Sequence, residues 1–289
     1  MSRKPTITIV GPGNLGGALA AALHEAGYRI DEIVSRAARD SQQRARTVAR
    51  RVGAQPKTTQ SAVLSADIIW LCVKDTDIAA TARMLAQSTT WKGRCALHSS
   101  GALTSDELDA LRRRGAAVAS VHPMMTFVRS SVPSLRGVGF AVEGDRAAIR
   151  VARQIVRNLR ANVFTIKKAA KPLYHAWGAF ASPLLIMELA VAEKVARAAG
   201  VPSADVRKII EPIVRRTIDN YFRHGAAQAF SGPFIRGDIA TVRQHLKELA
   251  RVPGAREVYL ALALSALWNL PVGKTEEMEK LLKNSAGRR

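Results

Sequence analysis

Four short groups of residues have the types and spacings that could do chemistry. The first is Gly11-Pro12-Gly13-Asn14-Leu15-Gly16, which follows the β-branched run Thr6–Val10 and opens an alanine-rich stretch ending at Gly27. In such a turn the first glycine permits the tight strand-to-helix bend. The second lets backbone approach a pyrophosphate, and the third lets the helix pack close to the strand. The free N–H groups and positive dipole end of the helix stabilise anionic charge. Gly11, Gly13, Asn14, Leu15 and Gly16 are therefore candidate dinucleotide-binding residues.

The second group lies about twenty residues on, where a strand preferring NAD usually ends in Asp or Glu to bind both ribose hydroxyls. Here it ends Ile33-Val34-Ser35-Arg36. A Ser hydroxyl and an Arg guanidinium can hydrogen-bond a 2′-phosphate that a carboxylate would repel. Ser35 and Arg36 thus favour NADP over NAD. The alternative is that Arg36 belongs to the solvated basic helix carrying Arg39 and Arg44. FAD is disfavoured because no large second flavin domain is evident.

The third and fourth groups stand at later strand ends, where ligands of open α/β sheets bind. Val73-Lys74-Asp75 can pass beneath a nicotinamide ribose with Lys74 near phosphate or substrate, or be only a polar loop. Ser99-Ser100-Gly101 offers small hydroxyls and backbone N–H groups as a carboxylate or carbonyl seat, or is an ordinary turn capped by Thr104 or Ser105. His122, before Pro123 and Met124, lines the same cleft or is a buried, hydrogen-bonded histidine. His98 and His122 could pair on a metal, but no third ligand has convincing spacing, so no metal is expected.

The first part of the chain alternates strands and helices. Strands are expected at Thr6–Val10, Arg29–Val34, Asp67–Val73, Cys95–Ser99, Ala117–Val121, Gly139–Glu143 and Asn162–Thr165. Helices are expected near Asn14–Ala26, Asp40–Val52, Ile78–Gln87, Ser105–Arg114 and Arg146–Leu159. Such alternation makes a doubly wound, mostly parallel sheet. Beyond Lys167 the pattern is helical, over Pro172–Ala199, Ala204–Phe222, Ile239–Ala250 and Arg256–Leu267. The expected fold is α/β, with a nucleotide-binding Rossmann domain over 1–166 and an all-helical domain over 167–289. The polar tail Lys283–Arg289 is expected to fray.

Composition narrows the function classes. The 289 residues are 47% hydrophobic, enough for a sizeable core, and no uncharged apolar run is long enough to span a membrane. Met1–Thr6 has basic residues without an apolar signal core, so the expected location is the cytoplasm. Cys72 and Cys95, the two cysteines, each fall in an apolar strand-like run and read as buried thiols. The net charge of +21 raises nucleic-acid binding. The basic residues are dispersed over polar helix faces, however, without an aromatic platform or a helix-turn-helix or zinc signature, so specific nucleic-acid binding is disfavoured.

The ordered set of the glycine turn, His98-Ser99-Ser100-Gly101-Ala102-Leu103, Val121-His122-Pro123-Met124, Tyr174-His175-Ala176 and Gly232-Pro233 through Arg236-Gly237-Asp238 resembles the Rossmann-like proteins with a DUF2520 C-terminal domain. These are similar in turn to the 6-phosphogluconate dehydrogenase-like set, including β-hydroxyacid dehydrogenases, ketopantoate reductases and pyrroline-5-carboxylate reductases. The resemblance covers nearly the whole chain. It implies an NAD(P)-dependent oxidoreductase of a small, anionic oxo or hydroxy acid or imine, ketopantoate among the candidates, with a helical dimerisation domain and hence a homodimer.

In β-hydroxyacid dehydrogenases and ketopantoate reductases a Lys early in the second domain protonates the carbonyl oxygen, and an Asn four residues later holds substrate. The corresponding residues here are Lys171 and His175, one helical turn apart, so either Lys171 or His175 is expected to assist proton transfer. The departure is His in place of Asn. Asp238 is expected to cap the helix after it, with Arg236 a candidate for a substrate carboxylate. A second function class also fits the sequence: a noncatalytic NADP(H)-binding regulatory protein.

Overall fold

The strand Ile7–Val10 (β1) is buried along its whole length, and a strand buried on both faces belongs in the middle of a parallel sheet covered by helices. The computed structural model describes residues 3–87, 90–128 and 133–287, and β1 lies third in an eight-stranded sheet. The elements of this first unit are β1, α1 (Asn14–Glu25), β2 (Ile30–Ser35), α2 (Arg39–Val52), β3 (Gln55–Thr58), β4 (Ile68–Leu71), α3 (Ile78–Leu85), β5 (Cys95–His98), α4 (Asp109–Arg112), β6 (Ala117–Pro123), β7 (Gly139–Gly144), α5 (Arg146–Asn158), β8 (Asn162–Thr165) and α6 (Lys171–Ala179). The strand order is β3-β2-β1-β4-β5-β6-β7-β8. All neighbours are parallel except β6 and β7. The order reverses between β1 and β4, which is where an open sheet leaves a crevice for a ligand.

The helices that cover the sheet follow from their patterns. In α1 the buried residues Ala18, Ala20 and Ala21 are small and let the helix lie close to the sheet. The highly charged α2 buries only Ala45, Ala49 and Val52, one stripe at helical spacing, and ends at Gly53 with φ 65°.

Three expectations are corrected in this unit. Gln55–Thr58 forms an additional edge strand beside β2, although its Pro and polar residues carry no strand pattern; an edge position tolerates the missing N–H of Pro56. Residues 105–114 divide into a tight 3-10 turn, Ser105–Leu108, and the single turn α4. The expected helix beginning at Pro172 starts one residue earlier and is interrupted. After α6 comes a π-helical turn, Phe180–Leu184, that contains Pro183. Proline has no N–H to donate into the helical ladder, and the ladder loosens around it.

The chain divides into compact units between Ala179 and Phe180, thirteen residues beyond a boundary at 166/167. The reason is local: Lys171 and Tyr174 bury themselves against the sheet, which makes α6 part of the first unit.

The second unit holds the π-helical turn, α7 (Leu185–Ala198), α8 (Val206–His224), α9 (Ala226–Ala229), α10 (Ile239–Leu249), α11 (Ala255–Asn269) and α12 (Thr275–Ala286). Its core joins Val242 and Leu246 of α10, Leu260, Ala263 and Ala266 of α11, and Met278 and Leu282 of α12. The tail is thus helical through Ala286 rather than frayed from Lys283, because Met278 and Leu282, one turn apart, are fully buried. Residues 288 and 289 lie outside the described residues. The helix α7 buries no residue completely, and Ile186, Met187, Ile209, Ile213, Phe222 and Trp268 are exposed, Trp268 by 84%. Among the described residues no helix is long and apolar enough to cross a membrane.

Candidate active site

The glycine turn leaves β1 at the reversal of strand order, and its three glycines occupy three different environments. Gly11 has φ +106°, and a Cβ on it would lie 2.5 Å from the Cys72 carbonyl oxygen and 3.0 Å from the Val73 nitrogen. The turn therefore lies against the end of β4. A Cβ on Gly16 would sit 2.0 Å from the Gly11 carbonyl oxygen, so helix and turn touch there. Gly13 differs, since its Cβ would meet nothing within 4 Å. It is the N-cap of α1 and offers no side-chain cap, so no capping side chain satisfies the first N–H groups of the helix. A pyrophosphate fits that arrangement, with donors and a dipole end aimed at it and no side chain in its way.

The neighbouring candidates fall around this turn with different freedom. The Asn14 amide donates to the Phe127 carbonyl oxygen at 3.1 Å, tying the start of α1 to the segment after β6. Leu15 is in the first turn of α1. Ser35 ends β2 but is buried, its hydroxyl 3.4 Å from the Lys57 carbonyl oxygen. Arg36 is exposed and has no hydrogen bond or ion pair among the described residues, and Lys74 is exposed beyond β4.

A second cluster forms where β5, β6 and α6 meet. Lys171, 1% exposed, sends its ammonium to the Ser100 carbonyl oxygen at 2.9 Å and to Ser120 Oγ at 2.6 Å. Ser120 Oγ in turn donates to the Ser100 carbonyl oxygen at 3.1 Å. Burial pulls the Lys171 ammonium down to about 8, against the opposing pull of Glu143 and Asp75. Glu143 is engaged by the Ser105 N–H and hydroxyl at 2.7 and 2.9 Å.

The segment after β5 is organised by its own side chains. Ser99 Oγ accepts from Trp70 Nε1 at 2.8 Å, so it faces the core. Ser100 Oγ donates to Asp75 Oδ2 at 2.8 Å and accepts from the Leu103 N–H at 2.9 Å. His98 Nδ1 accepts the Ser100 N–H at 3.1 Å, which leaves Nε2–H to donate to the Thr104 carbonyl oxygen at 3.0 Å. With both nitrogens occupied His98 has no lone pair for a metal. Both hydroxyls of Ser99–Gly101 are thus engaged within the protein, and Gly101 is buried against His122 and His175.

Gly101 is also where the imidazoles converge. A Cβ there would lie 2.8 Å from His175 Cδ2 and 2.9 Å from His122 Nε2. On its other side, His122 Nδ1 is 2.7 Å from Tyr174 Oη, with the two rings edge to face at 5.5 Å between centroids. Burial, then the Lys171 charge, then His175, lower His122 to about 4; burial and Lys171 do the same to His98. Both are neutral imidazoles at pH 7. His175 is exposed.

The structure thus brings Ser100, Gly101, His122, Lys171 and His175 together on the first unit, while Val73 lies against Gly11 of the glycine turn. Arg236 lies in the second unit, exposed ahead of α10, whose N-cap Asp238 accepts the Thr241 N–H at 3.1 Å. Sequence reasoning missed the roles of Ser120 and Tyr174. Their signal was present: Ser120 and His122 alternate on one face of a strand, and Lys171, Tyr174 and His175 are spaced for one helix face.

A Rossmann-like domain model matches residues 2–123, and the model of a domain of unknown function, DUF2520, matches residues 138–266. No curated protein matches the sequence. Among solved structures, a candidate NADP oxidoreductase from Bacteroides fragilis superposes with a TM-score of 0.75 at 20% identity, over 96% of this chain and 98% of that one. A protein from Thermotoga maritima does so with a TM-score of 0.69 at 21% identity, over 97% and 98%. An imine reductase from Myxococcus stipitatus in complex with NADP+ gives 0.64 at 16% identity, over 98% and 94%. At these identities the shared property is the fold. The chain thus carries a Rossmann-like domain followed by a DUF2520 domain.

Proposed function

We propose that this protein is a nicotinamide-dinucleotide-dependent reductase, preferring NADP, that acts on a small oxo acid or imine. The observation that carries the reading is Gly13, which stands at an uncapped helix N-terminus with open space where a side chain would be. Gly11, Gly13, Gly16 and the N-terminal N–H groups of α1 would hold the pyrophosphate. Arg36, exposed at the end of β2, would hold the 2′-phosphate. When bound, the cofactor supplies a hydride.

The chain's own residues then divide the remaining work. His175 is exposed at Gly101 and can hand a proton to the reduced substrate. Lys171 is buried and bonded to Ser100 and Ser120, so it acts as a positioning residue that clamps the ends of β5 and β6. The exposed Ile186, Met187, Ile209, Ile213, Phe222 and Trp268 support a homodimer, for which light scattering should return twice the chain mass.

The test is a paired fluorescence titration with NADPH and NADH, on the wild type and on Arg36→Ala. NADPH should bind at least about tenfold more tightly than NADH, and the variant should erase the difference. Binding of neither nucleotide would overturn the reading.

A further inference from the structure

His122 and Tyr174 form a pair that the reductase reading leaves without a task. Tyr174 is 7% exposed, and its one hydrogen bond among the described residues is with His122 Nδ1. A buried hydroxyl proton needs an acceptor, and the Nδ1 lone pair is the acceptor within reach. Once the phenol donates to Nδ1, a neutral imidazole must carry its proton on Nε2. His122 Nε2 has no hydrogen bond among the described residues and is not sealed from solvent. It faces the space over Gly101, 2.9 Å from where a Cβ would be. The two imidazole rings crowd the place a side chain would take, so a substrate atom reaches Nε2 from its solvent-facing edge.

Resting on the reductase reading, we propose that His122 is a catalytic residue of this site: a neutral Nε2–H donor, fixed in that tautomer by Tyr174, which binds the oxygen of a substrate carbonyl and so selects an oxo compound over an iminium ion. The charged groups around it agree. Lys171 and His175 on α6 and His98 on β5 bear on His122, and the Lys171 charge opposes a second cation beside it. The nearby carboxylates are engaged elsewhere, Glu143 by Ser105 and Asp75 by Ser100.

The chemistry balances with the reductant already invoked. Hydride supplied by the bound cofactor would form a new C–H bond at the carbonyl carbon while the C=O π pair moves to oxygen, and that oxygen would take its proton from His175 to become the hydroxyl. The nicotinamide is oxidised and the carbonyl reduced by two electrons. As negative charge grows on oxygen, an Nε2–H donor binds it more strongly than it bound the ketone, which lowers the barrier. An iminium nitrogen has no lone pair to accept that bond, and it loses charge during reduction, so His122 would do nothing for it.

The first arm of the test does not depend on turnover. The full chain is labelled with 15N-histidine, long-range 1H–15N spectra are recorded at pH 7, and His122→Gln assigns the ring. His122 should show a protonated Nε2 and a bare Nδ1, and Tyr174→Phe should give a mixture of tautomers in a chain with unchanged circular dichroism. A ring protonated on Nδ1, or on both nitrogens, overturns the proposal.

The second arm compares 2-oxo acids with five- and six-membered cyclic imines, using NADPH. Oxo acids should be reduced with at least about tenfold higher kcat/KM, and Tyr174→Phe should lower kcat on them about tenfold with little change in KM. Faster reduction of imines overturns the substrate assignment while leaving the reductase standing. Failure to bind NADPH overturns the reductase reading and the catalytic role with it.

Discussion

Lys171 Nζ donates to Ser120 Oγ at 2.6 Å, a bond between a helix and a strand 51 residues apart. It places an ammonium group inside the first unit, and the ends of β5 and β6 are held to α6 through it and the Ser100 carbonyl oxygen. The bond ties an arrangement of chemistry to the stability of the fold, because the buried charge costs free energy that the surrounding acceptors only partly return.

That cost has a pH signature. The Lys171 ammonium titrates at about 8 rather than 10.5, so over the interval between those values the unfolded chain binds the proton more readily than the folded one. Stability therefore rises with pH across that interval, and below about pH 8 the folded protein carries a penalty of roughly 3 kcal/mol, at 1.36 kcal/mol per pKa unit. Lys171→Met removes the charge and the penalty together. Thermal melts of wild type and variant from pH 7 to 10 should show the difference in Tm moving in favour of the wild type as pH rises; a constant difference would contradict the buried, depressed ammonium.

Acid acts on the other side of the cluster. His98 and His122 have ordinary values of 6.5 lowered to about 4 in the folded protein. Their contribution is fully present above about pH 6.5 and is lost as pH falls toward 4, since the unfolded chain takes up the protons first. Urea midpoints should drop between pH 6.5 and 4.5. The drop should be smaller in His122→Gln, and an equal drop would mean that His122 is not held neutral by its surroundings.

The glycine turn separates binding from folding. Gly13 has an ordinary φ of −74° and free space around it, so Gly13→Val should fold with a Tm near that of the wild type while losing dinucleotide affinity by about 100-fold or more. Gly16→Ala should do the reverse first. Its Cβ would fall 2.0 Å from the Gly11 carbonyl oxygen, an overlap that costs about 1–3 kcal/mol or more. Calorimetry and titration of the two variants check both, and a Gly13→Val protein that bound normally would remove the pyrophosphate from this turn.

Gly101→Ala probes the convergence of the two imidazoles. The added methyl would meet His175 Cδ2 at 2.8 Å and His122 Nε2 at 2.9 Å, so the rings must move apart while the glycine turn is untouched. NADPH affinity should stay within about twofold, and turnover should fall about 100-fold. Loss of both together would mean that residue 101 supports the fold and not the reacting geometry.

Much of this was legible in the chain itself. The glycine spacing, the buried β1 and the strand–helix alternation prescribe the sheet, because period and turn chemistry are local properties. The same holds for the helical second part and for Asp238 as the cap of α10. The gathering of the candidate residues at the carboxyl ends of the strands was legible too, since parallel topology sends those ends to one edge. The edge strand Gln55–Thr58 was not legible, because pairing with β2 and not propensity makes it a strand, and α12 was hidden by a polar composition with only Met278 and Leu282 to anchor it.

The roles within the site required the tertiary structure. Spacing alone places Lys171 and His175 on one helical face with equal claim to the chemistry, yet Lys171 is buried on Ser100 and Ser120 while His175 is exposed at Gly101. Nor does spacing reveal that Ser99 faces Trp70 or that Tyr174 meets His122, pairs 29 and 52 residues apart. Sequence determines which groups are available and which local element carries each. Burial, hydrogen-bond partner and charge environment depend on distant segments meeting in space, which is why the lysine's contacts with Ser100 and Ser120 cannot be read from spacing.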